Sequence, residues 1–359
     1  FIDKRASVLA RGLKQDVSFD TKIINGEKVM INNQYIGQLK GLKLELDLKI
    51  DALDTDIKSL KKAARQSVGP EILSRINLII KSNFIELKDD FKIYWNKFPI
   101  AKLAPGKDYL NPELNLIIDD MVENFDKSKL LSHLVNWINN KILKELKSLM
   151  DLKFIKEKNS HIRALAFHLY ENNGVVKRED VMQFLKNLNQ DDRKILRKIG
   201  VKFGRYHIFL YKLFKPNAVS FRILLWKNFH QKFFNLQPPV FGLNFLYNKN
   251  LGDKNFMLLC GFEKFDNFYV RIDILERLFL QIINNDKNNQ IKLIPNMLNL
   301  LGCSKDNFLK LITNMNYKYF EKDGEIYFKY IAKKRIKNKN YKKVIKDNPF
   351  NVLSQLSLK

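Results

Sequence analysis

The residues best suited to chemistry lie in the segment Leu188–Trp226, where two acids, several basic residues and a histidine follow one another. Neighbouring carboxylates and a histidine can serve general acid–base catalysis, and basic side chains can bind phosphate. However, Asp191 and Asp192 fall in the first turn of a predicted helix that Asn189 caps. Gly200 is placed to end this helix. We therefore interpret the acidic pair as structural and keep the basic residues as the candidates for function.

Two sets of basic side chains are predicted to bind nucleic acid. The first set lies in this segment: Arg193, Arg197, Lys198, Lys202, Arg205 and Lys215. The second lies near the C-terminus, where basic residues are dense, acids are absent and a tyrosine is placed to stack on a base. It comprises Lys333, Lys334, Arg335, Lys337, Lys339, Tyr341, Lys342 and Lys343. The alternative for this second set is a solvated charge run without a partner.

Catalytic and metal-binding patterns are missing from the sequence. The histidines are dispersed, and His207, next to an apolar run, is interpreted as structural. Cys260 and Cys303 are too few for a disulfide framework or a zinc site. The Gly106-Lys107 pair lacks the remainder of a phosphate-binding loop. We therefore predict that this chain binds no metal or cofactor and is not catalytic by itself.

Composition favours a folded protein with a polyanionic partner. The 359 residues are 45% hydrophobic and carry a formal net charge of +26, with 51 lysines and 13 arginines. An AT-biased genome can explain why lysine replaces arginine, but not the excess of bases over acids. No apolar run approaches the ~20 residues that span a bilayer. We expect a cytoplasmic protein without a membrane partner and, since the chain lacks an initiator Met, a fragment of a longer one.

An internal repeat marks the first third of the chain. The segment Lys28–Leu39 matches Lys92–Leu103 at a spacing of 64 residues, and each copy alternates apolar and polar positions around an Asn-containing turn. This pattern predicts two β hairpins. Between them a helix is predicted from Asp54 to Ile80, with an interruption at Gly69-Pro70.

The rest of the chain is predicted to be mainly helical. Helical spacing runs from Asn111 to Met150, followed by helices at His161–Asn172 and Arg178–Leu188. After Pro238-Pro239 we predict a strand at Phe256–Phe262 and then three helices and a hairpin, the order of a winged helix. These last elements are predicted at Ile272–Ile283, Pro295–Leu301, Lys305–Met315, Tyr317–Phe320 and Glu325–Tyr330.

The predicted fold class is therefore mainly α with small β hairpins (α+β). A helical bundle region precedes a winged-helix-like unit and a basic tail. Four regions are predicted: two β-hairpin repeats joined by helices at 1–110, a helical domain at 111–237, a winged-helix-like domain at 238–331, and the tail at 332–359.

The segment Leu188–Trp226 resembles the C-terminal region of alphaproteobacterial superfamily-two (DExH-type) helicases similar to the mitochondrial degradosome RNA helicase. The segment Arg163–Val175 and both hairpin copies are similar to that family in the same order. Asn189, Lys202 and Tyr211 depart from the family pattern, where Asp, Arg and Pro are usual. The residues that carry the likeness are Leu188, Gln190, Arg193, Leu196, Arg197, Lys198, Gly200, Val201, Phe203, Gly204, His207, Phe209, Leu210, Lys215, Pro216, Arg222, Leu225 and Trp226.

The resemblance implies a parent enzyme that uses ATP to unwind or move along RNA or DNA. Its ATPase lobes would precede Phe1, so ATP and Mg²⁺ are expected only there. We expect this chain to be an accessory region that binds and guides single-stranded nucleic acid beside those lobes. Two alternatives stay open: a scaffold that docks a nuclease or other protein through the hairpin repeats and a terminal helix at 348–357, or a free-standing winged-helix binder.

Overall fold

The computed structural model describes residues 21–31, 34–46, 54–82, 84–156, 159–231, 235–247, 253–287 and 290–331. The fold is of the mixed α+β class, with eleven α-helices and five small sheets among these residues. Two compact units are present. The first comprises the described residues within Phe1–Leu243, Asn250–Glu263 and Arg271–Glu276, and the second those within Asn244–Lys249, Lys264–Val270 and Arg277–Lys359.

The first unit begins with two four-stranded antiparallel meanders, in which each strand pairs with the next along the chain. The first meander contains β1 (Thr21–Ile24), β2 (Lys28–Ile31), β3 (Gln34–Lys40) and β4 (Lys43–Leu46). The second contains β5 (Ile85–Leu87), β6 (Lys92–Trp95), β7 (Phe98–Ala104) and β8 (Glu113–Leu116).

The two meanders repeat one another in backbone detail. The strand register shifts between Val29 and Met30 in one copy and between Ile93 and Tyr94 in the other. The Leu39 N–H donates to the Glu27 carbonyl at 2.7 Å, and the Leu103 N–H donates to the Phe91 carbonyl at 2.8 Å. Both correspondences have the 64-residue spacing of the sequence repeat. The predicted hairpins are confirmed.

Helix α1 (Asp54–Lys81) follows the first meander and packs against it. The predicted interruption at Gly69-Pro70 is wrong, because the helix continues through Pro70. Val68 and Ile72, on either side of the proline, are both buried, so tertiary packing outweighs the missing N–H. The Arg75 guanidinium donates to the Gly41 carbonyl at 2.7 Å and also to the Gly26 carbonyl. This links α1 to two turns of the meander.

Three helices continue the core of the first unit: α2 (Asn124–Glu145), α3 (Lys147–Lys153) and α4 (Ser160–Glu171). The buried positions of α2 follow helical spacing: Leu130, Leu134, Ile138 and Ile142. The predicted helical region nevertheless starts too early, because the residues near Asn111 contribute β8 to the second meander.

A three-stranded sheet follows α4 inside the region predicted to be helical. The strand order is β10 (Val201–Phe203), β11 (His207–Leu210) and β9 (Val175–Lys177), and both pairs are antiparallel. The predicted helix Arg178–Leu188 is mostly wrong: only its middle is helical, since the Arg178 N–H donates to the Tyr206 carbonyl at 2.8 Å instead. The elements are β9 (Val175–Lys177), α5 (Met182–Lys186), α6 (Gln190–Ile199), β10 (Val201–Phe203), β11 (His207–Leu210), a 3₁₀ turn (Tyr211–Phe214) and α7 (Pro216–Phe229).

The predicted strand Phe256–Phe262 is also wrong, because most of it is helix α8 (Lys254–Leu259). The Asp253 carboxylate caps this helix by accepting from the N–H groups of Asn255 and Phe256. Strands β12 (Phe245–Tyr247), β13 (Phe262–Phe265) and β14 (Phe268–Arg271) form a sheet in the order β12–β14–β13.

The three helices and the hairpin predicted after residue 271 are confirmed. They are α9 (Ile272–Asn284), α10 (Pro295–Leu301), α11 (Lys305–Asn314), β17 (Tyr317–Lys322) and β18 (Glu325–Tyr330). Two short strands that no sequence pattern indicates, β15 (Asp286–Lys287) and β16 (Gln290–Lys292), join the hairpin in the sheet order β15–β16–β18–β17. Among the described residues, no helix combines the length and the apolar character needed to cross a bilayer.

Candidate nucleic-acid interface

Helix α6 carries three of the six predicted basic contacts of the central segment, and its caps are those that the sequence predicts. The Asn189 side chain accepts from the Asp192 N–H at 2.7 Å, and the Asp192 carboxylate accepts from the Asn189 N–H at 3.1 Å. The Asn159 amide also donates to Asp192 at 2.8 Å. Gly200 ends the helix with φ +112°. Asp192 is therefore a buried capping residue.

Two arginines of α6 lie close to the same aromatic ring. The guanidinium carbons of Arg193 and Arg197 lie 5.9 and 5.6 Å from the centroid of the Phe203 ring in β10. Both distances fall in the cation–π range. Arg193 also donates to the Leu185 carbonyl at 3.1 Å, so one of its donors is used inside the fold. Arg197 remains exposed, which makes it the better placed of the two for an external phosphate.

The other predicted basic residues of this segment are exposed around α6 and the strands that follow it. Lys202 lies in β10, with its Nζ 5.2 Å from the centroid of the Tyr211 ring. Lys198 is in the last turn of α6, Arg205 is in the turn between β10 and β11, and Lys215 precedes α7. The second predicted set, at residues 333–343, lies outside the described residues, as does the predicted helix at 348–357.

A carboxylate that no sequence motif indicates holds the turn between β10 and β11. Glu276 of α9 accepts from the backbone N–H groups of Arg205, Tyr206 and His207 at 2.5, 2.8 and 2.8 Å. A Cβ at Gly204 would lie 2.3 Å from the Glu276 carboxyl carbon, so any larger residue there would displace this carboxylate from its position. Glu276 lies 70 residues beyond Tyr206, and no local pattern in the sequence pairs them.

His207 is buried between two carboxylates, in agreement with its interpretation as a structural residue. Its Nε2 lies 3.1 Å from Glu263, and its Nδ1 lies 3.6 Å from Glu276. Lys177 of β9 completes the cluster, with its Nζ 3.1 Å from the second oxygen of Glu263. Burial opposes the charged imidazolium, but interactions with the two carboxylates outweigh it and raise the pKa of His207. Burial likewise opposes the charged carboxylates, but their hydrogen bonds outweigh it and lower the pKa values of Glu263 and Glu276.

Arg222 of α7 is fully buried and is not available to phosphate. Its guanidinium donates to the carbonyls of Asn173, Leu213 and Leu259, each at 2.9 Å. Burial lowers its pKa to about 10. Arg222 therefore ties together the turn after α4, the 3₁₀ turn and the end of α8.

No protein-family model matches this chain, and no curated protein or solved structure matches it either. The resemblance to helicases therefore stays a prediction. Among the described residues, no group of three or more His, Cys, Asp or Glu side chains is arranged to hold a metal ion.

Proposed function

We propose that residues 160–210 of the first unit form a winged-helix-like module that binds nucleic acid. Its elements follow the order helix, strand, helix, helix and two strands, from α4 to β11. The strand after the first helix pairs with the last strand, as β9 pairs with β11. In helix-turn-helix modules the last helix contacts nucleic acid, which here is α6.

The charge distribution around α6 is the observation that carries this proposal. Arg197, Lys198, Lys202 and Arg205 are exposed on α6, β10 and the following turn. The two acids between Leu188 and Trp226 both have partners: Asp192 caps the helix, and Asp191 pairs with Lys194 at 2.9 Å. The exposed side chains of this segment are therefore predominantly cationic, which suits the phosphate backbone.

We further propose that this module belongs to the accessory region of an ATP-dependent helicase and guides single-stranded RNA or DNA beside the motor lobes. The resemblance of the segment Leu188–Trp226 supports this assignment. ATPase motifs are then expected in the reading frame upstream of Phe1. A frame that encodes none would reject the helicase assignment, but not the module, and would favour a free-standing winged-helix binder.

The module is tested by removing its charge. In the variant Arg197→Ala, Lys198→Ala, Lys202→Ala, we expect weaker binding of a labelled single-stranded oligonucleotide in fluorescence anisotropy. The slope of log K against log salt should become shallower by about 0.7 for each phosphate that the variant no longer neutralises. The matched control removes three exposed lysines elsewhere in the first unit: Lys97, Lys102 and Lys129. Equal effects in both triple variants would show that only net charge matters and would reject the module.

A protein-docking scaffold is the second candidate, and exposed aromatic side chains favour it. Phe84, just before β5, is 77% exposed, and Phe125, in the first turn of α2, is 75% exposed. Side chains of this size are the anchors of many protein interfaces. A nuclease or other partner that copurifies in stoichiometric amount and is lost with Phe84→Ser and Phe125→Ser, in a chain that binds no oligonucleotide, would establish the scaffold.

A further inference from the structure

The second unit contains an open groove of about 550 Å³ along the exposed face of α11. One wall consists of α11 residues, among them Asp306, Lys310 and Thr313. The turn between β13 and β14 and two exposed tyrosines complete the lining. Ligand sites commonly have volumes of roughly 300–1,000 Å³, so the groove has room for a single nucleotide.

The tyrosines are the part of the groove that most clearly points to a ligand. Tyr247 of β12 is 54% exposed and Tyr319 of β17 is 47% exposed, although both are large aromatic residues on strands. Both side chains line the groove. Exposed aromatic rings beside a groove are the platforms on which proteins stack the bases of single strands.

The charged groups of the groove suit a base edge better than a phosphate. Asp266 and Asp306 place two carboxylates in the lining, and Lys310 is the one cation among the described lining residues. Carboxylates repel phosphate, but they accept hydrogen bonds from the exocyclic amino groups of bases. The nearby hairpin β17–β18 carries the exposed acids Glu321, Asp323 and Glu325 beside the exposed lysines Lys318, Lys322 and Lys329, so among the described residues its surface charges are mixed.

We propose that this groove binds an unpaired nucleobase of a single strand, with Tyr247 and Tyr319 as stacking residues and Asp266 or Asp306 as acceptor for an amino group. The elements from α9 to β18 follow the order of the first module except for the additional strand β15, but this groove would bind bases instead of phosphates. The proposal rests on nucleic-acid binding by the chain and adds a second site with a different ligand chemistry.

The test compares two fluorescein-labelled single strands of equal length, one of mixed sequence and one with abasic residues throughout, on the full chain. Both strands carry the same number of phosphates, so the difference between their affinities measures the contribution of the bases and not that of charge. Tyr247→Ala with Tyr319→Ala should weaken binding of the mixed strand by about tenfold or more. Binding of the abasic strand should stay within about twofold. Tyr247→Phe with Tyr319→Phe should restore binding, because phenylalanine keeps the stacking face.

The matched control is Tyr330→Ala, since Tyr330 of β18 is 43% exposed and does not line the groove. Thermal unfolding of each variant verifies that the second unit remains folded. The proposal is overturned by an equal loss on the abasic strand, by no loss on either, or by the same loss with Tyr330→Ala. Tyrosine-dependent binding of a lysine-rich peptide alone would instead assign the groove to a protein partner. If the first module does not bind nucleic acid, the variant Arg197→Ala, Lys198→Ala, Lys202→Ala should bind the mixed strand as tightly as wild type. This outcome is independent of the tyrosine variants.

Discussion

At the scale of single residues, Glu276 shapes the candidate interface without contacting nucleic acid itself. Its carboxylate accepts three consecutive backbone N–H groups in the turn that carries Arg205. A hydrogen bond to a buried charged group contributes more than a neutral one, and its removal leaves donors without partners. The orientation of this turn therefore depends on a side chain from a distant helix.

Glu276→Ala is expected to lower the free energy of unfolding by about 2 kcal/mol or more, because three backbone donors, one of them buried, lose their acceptor. Glu276→Gln keeps one oxygen and should lose less. Urea denaturation measures both changes. Glu86→Ala, at a carboxylate that is 69% exposed, serves as the control and should change stability by less than about 0.5 kcal/mol. If Glu276→Ala lost no more stability than the control, the turn would not depend on the Glu276 carboxylate.

The cluster around His207 predicts how stability depends on pH. Its pKa in the folded state is raised above 6.5, so its contribution is complete below pH 6.5 and is lost as pH rises through the folded pKa. The pKa values of Glu263 and Glu276 are lowered below 4.5, so their contributions are complete above pH 4.5 and are lost as pH falls through the folded values.

Between pH 4.5 and 6.5 all three contributions are present. His207→Gln should therefore cost most in that window, and the difference from wild type should shrink above it. Urea midpoints measured from about pH 4 to about pH 9, a range that brackets the ordinary pKa values of these side chains, give this profile. A pH-independent difference would mean that His207 contributes through packing and not through its charge. His168→Gln, at a histidine in the last turn of α4, is the control.

At the scale of elements, capped helices are predictable from sequence and short strands are not. Helix α6 has its predicted caps, and α10 matches its predicted bounds, since cap residues act within one turn. Strands β9 and β10 have three residues each and are defined by partners across the sheet, which no local pattern reveals. A strand is predicted where helix α8 lies because a short apolar run suits either structure.

The candidate interface is likewise predictable from the sequence only in part. Its basic residues and the helix that carries them follow from the sequence. The contacts of the Phe203 ring with Arg193 and Arg197 and the contact of Glu276 with the turn depend on tertiary packing, and only the structure reveals them.

The N-terminal cap of α6 is expected to contribute measurably to stability. Asn189→Ala should lower the free energy of unfolding by about 1 kcal/mol, because the Asp192 N–H loses its acceptor. Asn189→Asp should retain most of the stability, since aspartate caps helices equally well. Thermal and urea unfolding measure both variants. An equal loss in both would indicate that the Asn189 amide has another role.

At the scale of the whole molecule, the elements from α4 to β11 and those from α9 to β18 follow one order apart from the additional strand β15, but their surface chemistry differs. From α4 to β11 the exposed charges near the last helix are mostly basic, whereas from α9 to β18 acids and bases are mixed. The net charge of +26 is therefore not distributed evenly over these two regions. Phosphate binding is expected at the first module and base binding at the second, so the two units should differ in the part of a nucleic acid that they recognise.

The basic set at residues 333–343, outside the described part of the chain, is predicted to add affinity without sequence specificity. Deleting residues 332–359 should weaken single-strand binding and lower the slope of log K against log salt by about 0.7 for each phosphate that the shortened chain no longer neutralises. The preference for a mixed strand over an abasic one should persist, because the groove beside α11 keeps its tyrosines. Anisotropy titrations between about 50 and about 300 mM salt, a range in which counterion release dominates, measure both quantities. Unchanged affinity and slope would show that this segment is a solvated charge run, and a lost base preference would place base recognition in the tail instead of the groove.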